Sequence, residues 1–241
     1  MPDAQLPRRT ARFLVGIAVL VLGLVVAVLA VVLFRQMDRP APGPTPAAAV
    51  SCAPPVAPPT THPTFTAPPD VSVAAGSQWT ATVRTTCGDL GLVLETERAP
   101  RSVASFVTLA RAGYWTDSGC HRLTSRQAPT AFLQCGDPTG RSTAEPGYDL
   151  PLENVPADRT YRVGDVGLAR GDGFPGTAGE FFVVHHDFTA PADGPAYSVI
   201  GHVTSGQEVV QHVASGGGED TRPDGPPFES ISVLSVDVRR R

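Results

Sequence analysis

Cys120 and His121 stand side by side, a thiol beside an imidazole, which is the pairing from which a thiol hydrolase makes a nucleophile and its base. Adjacent residues on a strand point to opposite faces, so these two cannot meet in that way. The same alternation brings other groups together. Phe132 and Gln134 are two apart, as are Glu180 and Phe182, so each pair presents a ring and a polar group on one face of its strand. Taken singly, a strand arginine such as Arg122 reads as a solvated residue and paired phenylalanines read as core. His185, His186 and Asp187, with His202 and His212 elsewhere, have no recognised metal-ligand spacing and read as a turn at a strand end. Gly216, Gly217 and Gly218 follow a helical pattern instead of opening one, and no Lys-Ser/Thr pair accompanies them, so a phosphate loop is excluded. No cofactor or metal is expected.

The elements that must position these residues are mostly strands. Trp79, Ala81 and Val83 alternate with Thr80, Thr82 and Arg84, and similar runs occupy 90–95, 120–124, 131–135, 161–169, 180–185, 197–203 and 230–238, punctuated by Gly, Pro and Asp. Two segments carry a helical period instead. Pro100 opens the first, Val103, Phe106, Val107 and Ala110 form its apolar stripe, and Gly113 stops it. In the second, Ser205 and Glu208 form a capping box ahead of Val209, Val210 and Val213. The stretch 137–159 is a long polar loop, of the kind that is functional or poorly ordered.

The first 70 residues differ in composition. Phe13 to Phe34 is an uncharged run of 22 positions, long enough to span a bilayer as one helix and too long for a secretory signal. Arg8, Arg9 and Arg12 precede it, against Arg35 and Arg39 after it, which places the short N-terminal segment 1–12 in the cytoplasm and the rest outside. Eleven prolines between Pro40 and Pro69 assign 35–70 to a Pro/Ala-rich spacer. The folded domain is expected over 71–241. Residues 1–39 carry five Arg against Asp3 and Asp38, net +3, so the stated −4 leaves −7 for the remainder, a poor match for nucleic acid. Cys52, Cys87, Cys120 and Cys135 are even in number, and such a compartment permits disulfides. Their pairing stays open, since strict alternation puts Cys120 and Cys135 on opposite faces unless a bulge intervenes.

The runs Cys120-His121-Arg122-Leu123, Phe132-Leu133-Gln134-Cys135-Gly136-Asp137-Pro138, Glu180-Phe181-Phe182-Val183 and Tyr197-Ser198-Val199-Ile200-Gly201 together resemble the cyclophilin family of peptidyl-prolyl isomerases. The likeness is closest to a bacterial, actinobacterial-like branch, here membrane-anchored. It implies a mainly β fold, a closed eight-stranded antiparallel barrel with two capping helices, preceded here by the transmembrane helix 13–34 and the spacer. It also implies Arg122, Gln134 and Phe182 as the catalytic residues, with Phe132, Ala131, Ala169, Glu180 and Tyr197 lining the substrate pocket. Arg122 would act on the prolyl nitrogen, Gln134 would hold a substrate carbonyl and steady the arginine, and Phe132 and Phe182 would wall a slot for the proline ring. Such a reaction needs no acid, base or nucleophile, because its barrier of about 18–20 kcal/mol comes from amide resonance.

Several positions depart from the family. Ala131 stands where a pocket phenylalanine is expected, Arg170 near a substrate-binding asparagine, and Glu180 in place of a glutamine, where its own carboxylate is expected to pair with Arg122. Tyr197 replaces a histidine, and 189–195 supplies neither a Trp nor a Leu. The expected partners are proline-containing segments of secreted or envelope proteins and, through 13–34, the membrane. A catalytically weak or inactive proline-peptide binding module is the alternative.

Overall fold

The structure, a computed structural model, describes residues 8–37, 49–139, 146–170 and 179–241. It divides into two units, Met1–Ala48 and Ala49–Arg241. The first contains α1 (Arg8–Met37), which covers the apolar run. Among the described residues no helix is long and apolar enough to cross a membrane. Side chains of α1 are described only for residues 21–35, fewer than the about 20 that a span requires. The expected segment 1–12 lies partly, and the spacer stretch 38–48 wholly, outside the described residues.

In the second unit β1 (Trp79–Thr85) and β2 (Gly88–Leu94) form a hairpin, and β1 also pairs along its whole length with β12 (Ser232–Arg240). Between them in sequence come α2 (Pro100–Arg111), β3 (Ser118–Gly119), β4 (Arg122–Thr124), β5 (Phe132–Cys135), β6 (Thr160–Tyr161), β7 (Asp165–Leu168), β8 (Phe181–Val184), β9 (Phe188–Thr189), β10 (Val199–Ser205), α3 (Gln207–Gly216) and β11 (Asp224–Gly225). Among the described residues, ten strands make one antiparallel sheet in the order β11-β4-β5-β8-β7-β10-β2-β1-β12-β3, while β6 and β9 pair separately. The end strand β3 touches the chain just past β5 at an isolated bridge, Gly119 with Asp137, and no ladder joins β3 to β11 at the opposite end among the described residues. The result is a curled half-barrel instead of the closed eight-stranded barrel expected. Closure by a ladder fails because β3 is two residues long and the chain leaves strand geometry at Cys120 and His121.

That irregular step also decides the cysteine pairing. Strict alternation does not hold between β3 and β4, and Cys120 joins Cys135 across a Cα separation of 3.9 Å, while Cys52 joins Cys87 at 4.0 Å. The second bond ties down residues counted as spacer. Ala53 N donates to Thr86 O at 2.7 Å and Phe65 N to Pro146 O at 2.7 Å, so residues 49–70 lie along the domain as a strap. Their prolines suppress regular structure without preventing contacts. Gly147, at φ +97°, allows the close approach, because a Cβ there would lie 2.0 Å from Phe65 O.

The ends of α2 fall where Pro100 and Gly113 put them, and its buried face includes Val103, Phe106, Val107 and Ala110. Its N-cap, Ala99, has no polar side-chain atom to cap the helix. Instead Glu153 accepts from Ser102 N at 2.8 Å and from Arg101 N at 3.3 Å, which ties part of the long loop to the domain. The expected capping box of α3 does not form: Ser205 is the last residue of β10, and Gly206, at φ +84°, takes the N-cap position.

The sheet separates two apolar clusters. Leu133, Cys135, Phe181 and Val183 join the main core with Trp79, Leu92, Phe106, Trp115 and Val210. The alternate positions, Phe132, Phe182 and Val184, join Tyr161, Ala169, Ala190, Tyr197 and Val199 on the other face. The two-residue spacing noted in the sequence therefore sorts these side chains as alternation predicts.

Candidate functional site

Arg122 opens β4, and its direct cross-strand partner on β5 is Gln134, whose own partner on β8 is Phe182. Three consecutive strands thus set the polar and aromatic groups in one row. Arg122 Nη1 donates to Gln134 Oε1 at 3.2 Å. Gln134 Nε2 donates to Glu180 Oε2 and lies 3.3 Å from His121 Nε2. A carboxylate can only accept, so Glu180 turns the amide nitrogen of Gln134 toward itself and the amide oxygen toward Arg122. The other amide hydrogen meets His121 Nε2 when that imidazole carries its proton on Nδ1. Burial pushes the His121 pKa down, which favours the neutral ring; Asp137 opposes this shift and Arg122 reinforces it.

At its other edge Arg122 makes a bidentate pair with Asp224, Nε to Oδ1 and Nη2 to Oδ2, each at 2.7 Å. The guanidinium holds the Asp224 carboxyl below the usual range, against an opposing effect of desolvation. Asp224 comes from β11, which pairs with β4 at Thr124 and Leu123. The pairing of Glu180 with Arg122 that its charge suggested is replaced by one in which Glu180 holds Gln134 and Asp224 holds the arginine.

The guanidinium carbon of Arg122 lies over the Phe132 ring, 5.4 Å from its centroid. Phe132 stacks on Phe182 at 4.6 Å, and Tyr197 meets Phe182 edge-on at 5.2 Å and Phe132 at 6.1 Å. Tyr161 supports Tyr197 through its hydroxyl, which accepts from Tyr197 N at 2.8 Å, and stacks on Phe188 at 5.0 Å. Phe132 and Phe182 are 1% and 0% exposed. They touch each other instead of bracketing an open slot. Gly167 makes this arrangement possible: it is the cross-strand partner of Phe182, and a Cβ there would lie 2.2 Å from the ring.

The remaining expected positions are close by. Ala131 O accepts from His185 N, and Ala169 N donates to Glu180 O at 2.9 Å, so both flank the row; both are buried. Sequence reasoning missed Asp224, His121, Tyr161 and Phe188 as members. Phe188 falls on the same parity as Phe182 and Val184, a usable hint, whereas Asp224 lies 102 residues from Arg122 and carries no local signal.

Residues 80–238 match the family described as cyclophilin type peptidyl-prolyl cis-trans isomerase/CLD. The chain is 32% identical over 169 residues to a probable peptidyl-prolyl cis-trans isomerase B of Mycobacterium leprae, covering 65% of this chain and 55% of the relative. For the corresponding Mycobacterium tuberculosis protein the identity is 33% over 177 residues, covering 66% and 54%. The chain thus spans a little over half the length of these relatives. Bacillus subtilis peptidyl-prolyl cis-trans isomerase B is 32% identical over 120 residues, 50% of this chain and 79% of the relative. Among solved structures, a Cryptosporidium parvum cyclophilin type isomerase superposes with a TM-score of 0.56 at 21% identity, covering 68% of this chain and 99% of the other, a likeness of fold. A second structure of that protein, in the presence of the dipeptide Ala-Pro, gives a TM-score of 0.55, covering 67% and 99%.

Proposed function

The chain belongs to the cyclophilin-type peptidyl-prolyl cis-trans isomerase family, and from that premise we propose that it accelerates cis/trans exchange at X-Pro bonds of proteins outside the cytoplasm, assisting their folding. The observation that carries the reading is Arg122, held between Gln134 and Asp224 and poised over the Phe132 ring. Twisting the X-Pro amide breaks its resonance and leaves a lone pair on a pyramidal nitrogen. A fixed guanidinium N–H stabilises that lone pair more than it stabilises the planar ground state, which lowers the barrier. On parting, Phe132 and Phe182 receive the proline ring beside Tyr197, and Ala169 with Ala131 flank it. Gln134 steadies Arg122 through Oε1. For its amide nitrogen to hold a substrate carbonyl, the contact with His121 must give way.

The chain is read as single-pass, with α1 as the membrane anchor and the domain facing outward. Support comes from the uncharged run 13–34, from the arginines before it, and from two disulfides, which persist in oxidising compartments. Protease protection of the domain in intact cells would contradict that orientation.

The direct stacking of Phe132 on Phe182 favours a second reading, a proline-peptide binding module with little turnover, because a proline ring enters only when these rings part. Exchange spectroscopy on an Ala-Pro peptide separates the two. Accelerated exchange between cis and trans resonances supports the isomerase; shifted resonances without faster exchange support the module; neither effect rejects both.

A further inference from the structure

Arg122 lies on the middle of three strands and donates to an acceptor on each neighbour: Gln134 on β5 and Asp224 on β11. The β11 side is short but well fastened. Besides its ladder with β4, Ser125 N donates to Pro223 O at 2.7 Å, immediately before Asp224. Two bonds to Asp224 fix the Nε–Nη2 edge, and one bond to Gln134 fixes Nη1. The Glu180 contact in turn fixes which face of the Gln134 amide Arg122 meets. The planar guanidinium cannot turn about its terminal torsions without breaking one of these bonds.

We propose that Asp224 is a positioning residue for isomerisation: it locks the edge and plane of the Arg122 guanidinium above the Phe132 ring before substrate arrives. This rests on the isomerase reading above. A long arginine side chain left loose would have to be frozen during each turnover; here the ordering is complete beforehand. Asp224 has an opposite effect as well, since a carboxylate partly neutralises the cation that must attract the prolyl lone pair. Solvent decides between the two. The side chains are 37% and 46% exposed, so water screens the charge effect, while orientation is geometric and is not screened. Asp224 therefore aids catalysis through Arg122 and does not inhibit it.

The test uses the full chain in detergent micelles, with Asp224→Ala and Asp224→Asn beside the parent. Three readouts apply: kcat and KM for X-Pro exchange, the melting temperature, and the ¹⁵N–¹H resonance of Arg122 Nε. Asp224→Ala should lower kcat about tenfold and change KM little, the signature of lost orientation. Asp224→Asn keeps an amide oxygen that can accept one of the two bonds, so it should recover part of the loss. The Nε–H signal should be protected from solvent exchange in the parent and unprotected in Asp224→Ala, with melting temperatures unchanged. Full activity in Asp224→Ala would overturn the assignment while leaving the isomerase reading intact. Equal losses in both variants accompanied by a lowered melting temperature would also overturn it, marking Asp224 as structural. A parent that does not accelerate exchange would remove the isomerase reading and the assignment with it.

Discussion

Gly167→Ala would place a methyl carbon 2.2 Å from Phe182 Cζ and 2.7 and 2.9 Å from its two Cε atoms. Carbon atoms pack at about 3.5–4.0 Å, so the ring would have to retreat by more than about 1 Å. Nothing behind it yields. Phe182 is fully buried, stacked on Phe132 at 4.6 Å and edged by Tyr197 at 5.2 Å. Overpacking of this kind costs about 1–3 kcal/mol. For a domain of this size each kcal/mol moves Tm by about 2–4 °C, so a mid-range cost lowers Tm by about 4–8 °C. Calorimetry of the parent, Gly167→Ala, Phe182→Leu and the double variant measures it. In the double variant the smaller side chain relieves the clash, and the two changes should show a coupling of at least about 0.5 kcal/mol. An unchanged Tm in Gly167→Ala, or strict additivity in the double variant, would refute the packing account.

Replacing Cys52 and Cys87 together by Ala opens a 35-residue separation and should cost about 3–4 kcal/mol by chain entropy, with the strap near Phe65 becoming sensitive to protease. Urea unfolding and timed digestion check both effects. Glu180→Ala removes the acceptor of Gln134 Nε2 and should destabilise the domain by about 1.5–3 kcal/mol, read from the urea midpoint. Burial holds His121 and His185 below their ordinary value of 6.5, so as pH falls the unfolded chain binds these protons first. Their contribution is complete above about pH 6.5 and declines below it. His121→Gln should flatten part of the decline between pH 7.5 and 5.5 in unfolding free energy measured at each pH.

Local signals were read well where they act locally. Pro100 and Gly113 bound α2 because their constraints lie in their own backbones, and two-residue spacing sorted Phe132 and Phe182 from Leu133 and Phe181 because alternation is a property of the strand alone. Ser205 and Glu208 misled for the converse reason: the motif is right, but β10 runs on through Ser205 and Gly206 turns the chain. Asp224 and Glu153 reach their partners across 102 and 51 residues, and no periodicity encodes such contacts. Proline content in the strap told correctly against helix and strand, yet it is silent on tertiary contacts such as Phe65 with Gly147. Strand parity encodes that the aromatic residues share one face, but not their mutual stacking, which depends on the missing side chain of Gly167 one strand away.

Cis/trans exchange at an X-Pro bond, measured with the full chain, Arg122→Lys and Arg122→Ala, tests the role of the Arg122 guanidinium most directly. Lysine keeps the charge but loses the planar fork that meets Asp224 and Gln134. With that role, kcat/KM falls about 100-fold in Arg122→Ala, with Arg122→Lys recovering only a small part and Tm nearly constant. Parent-like exchange in Arg122→Ala would contradict it.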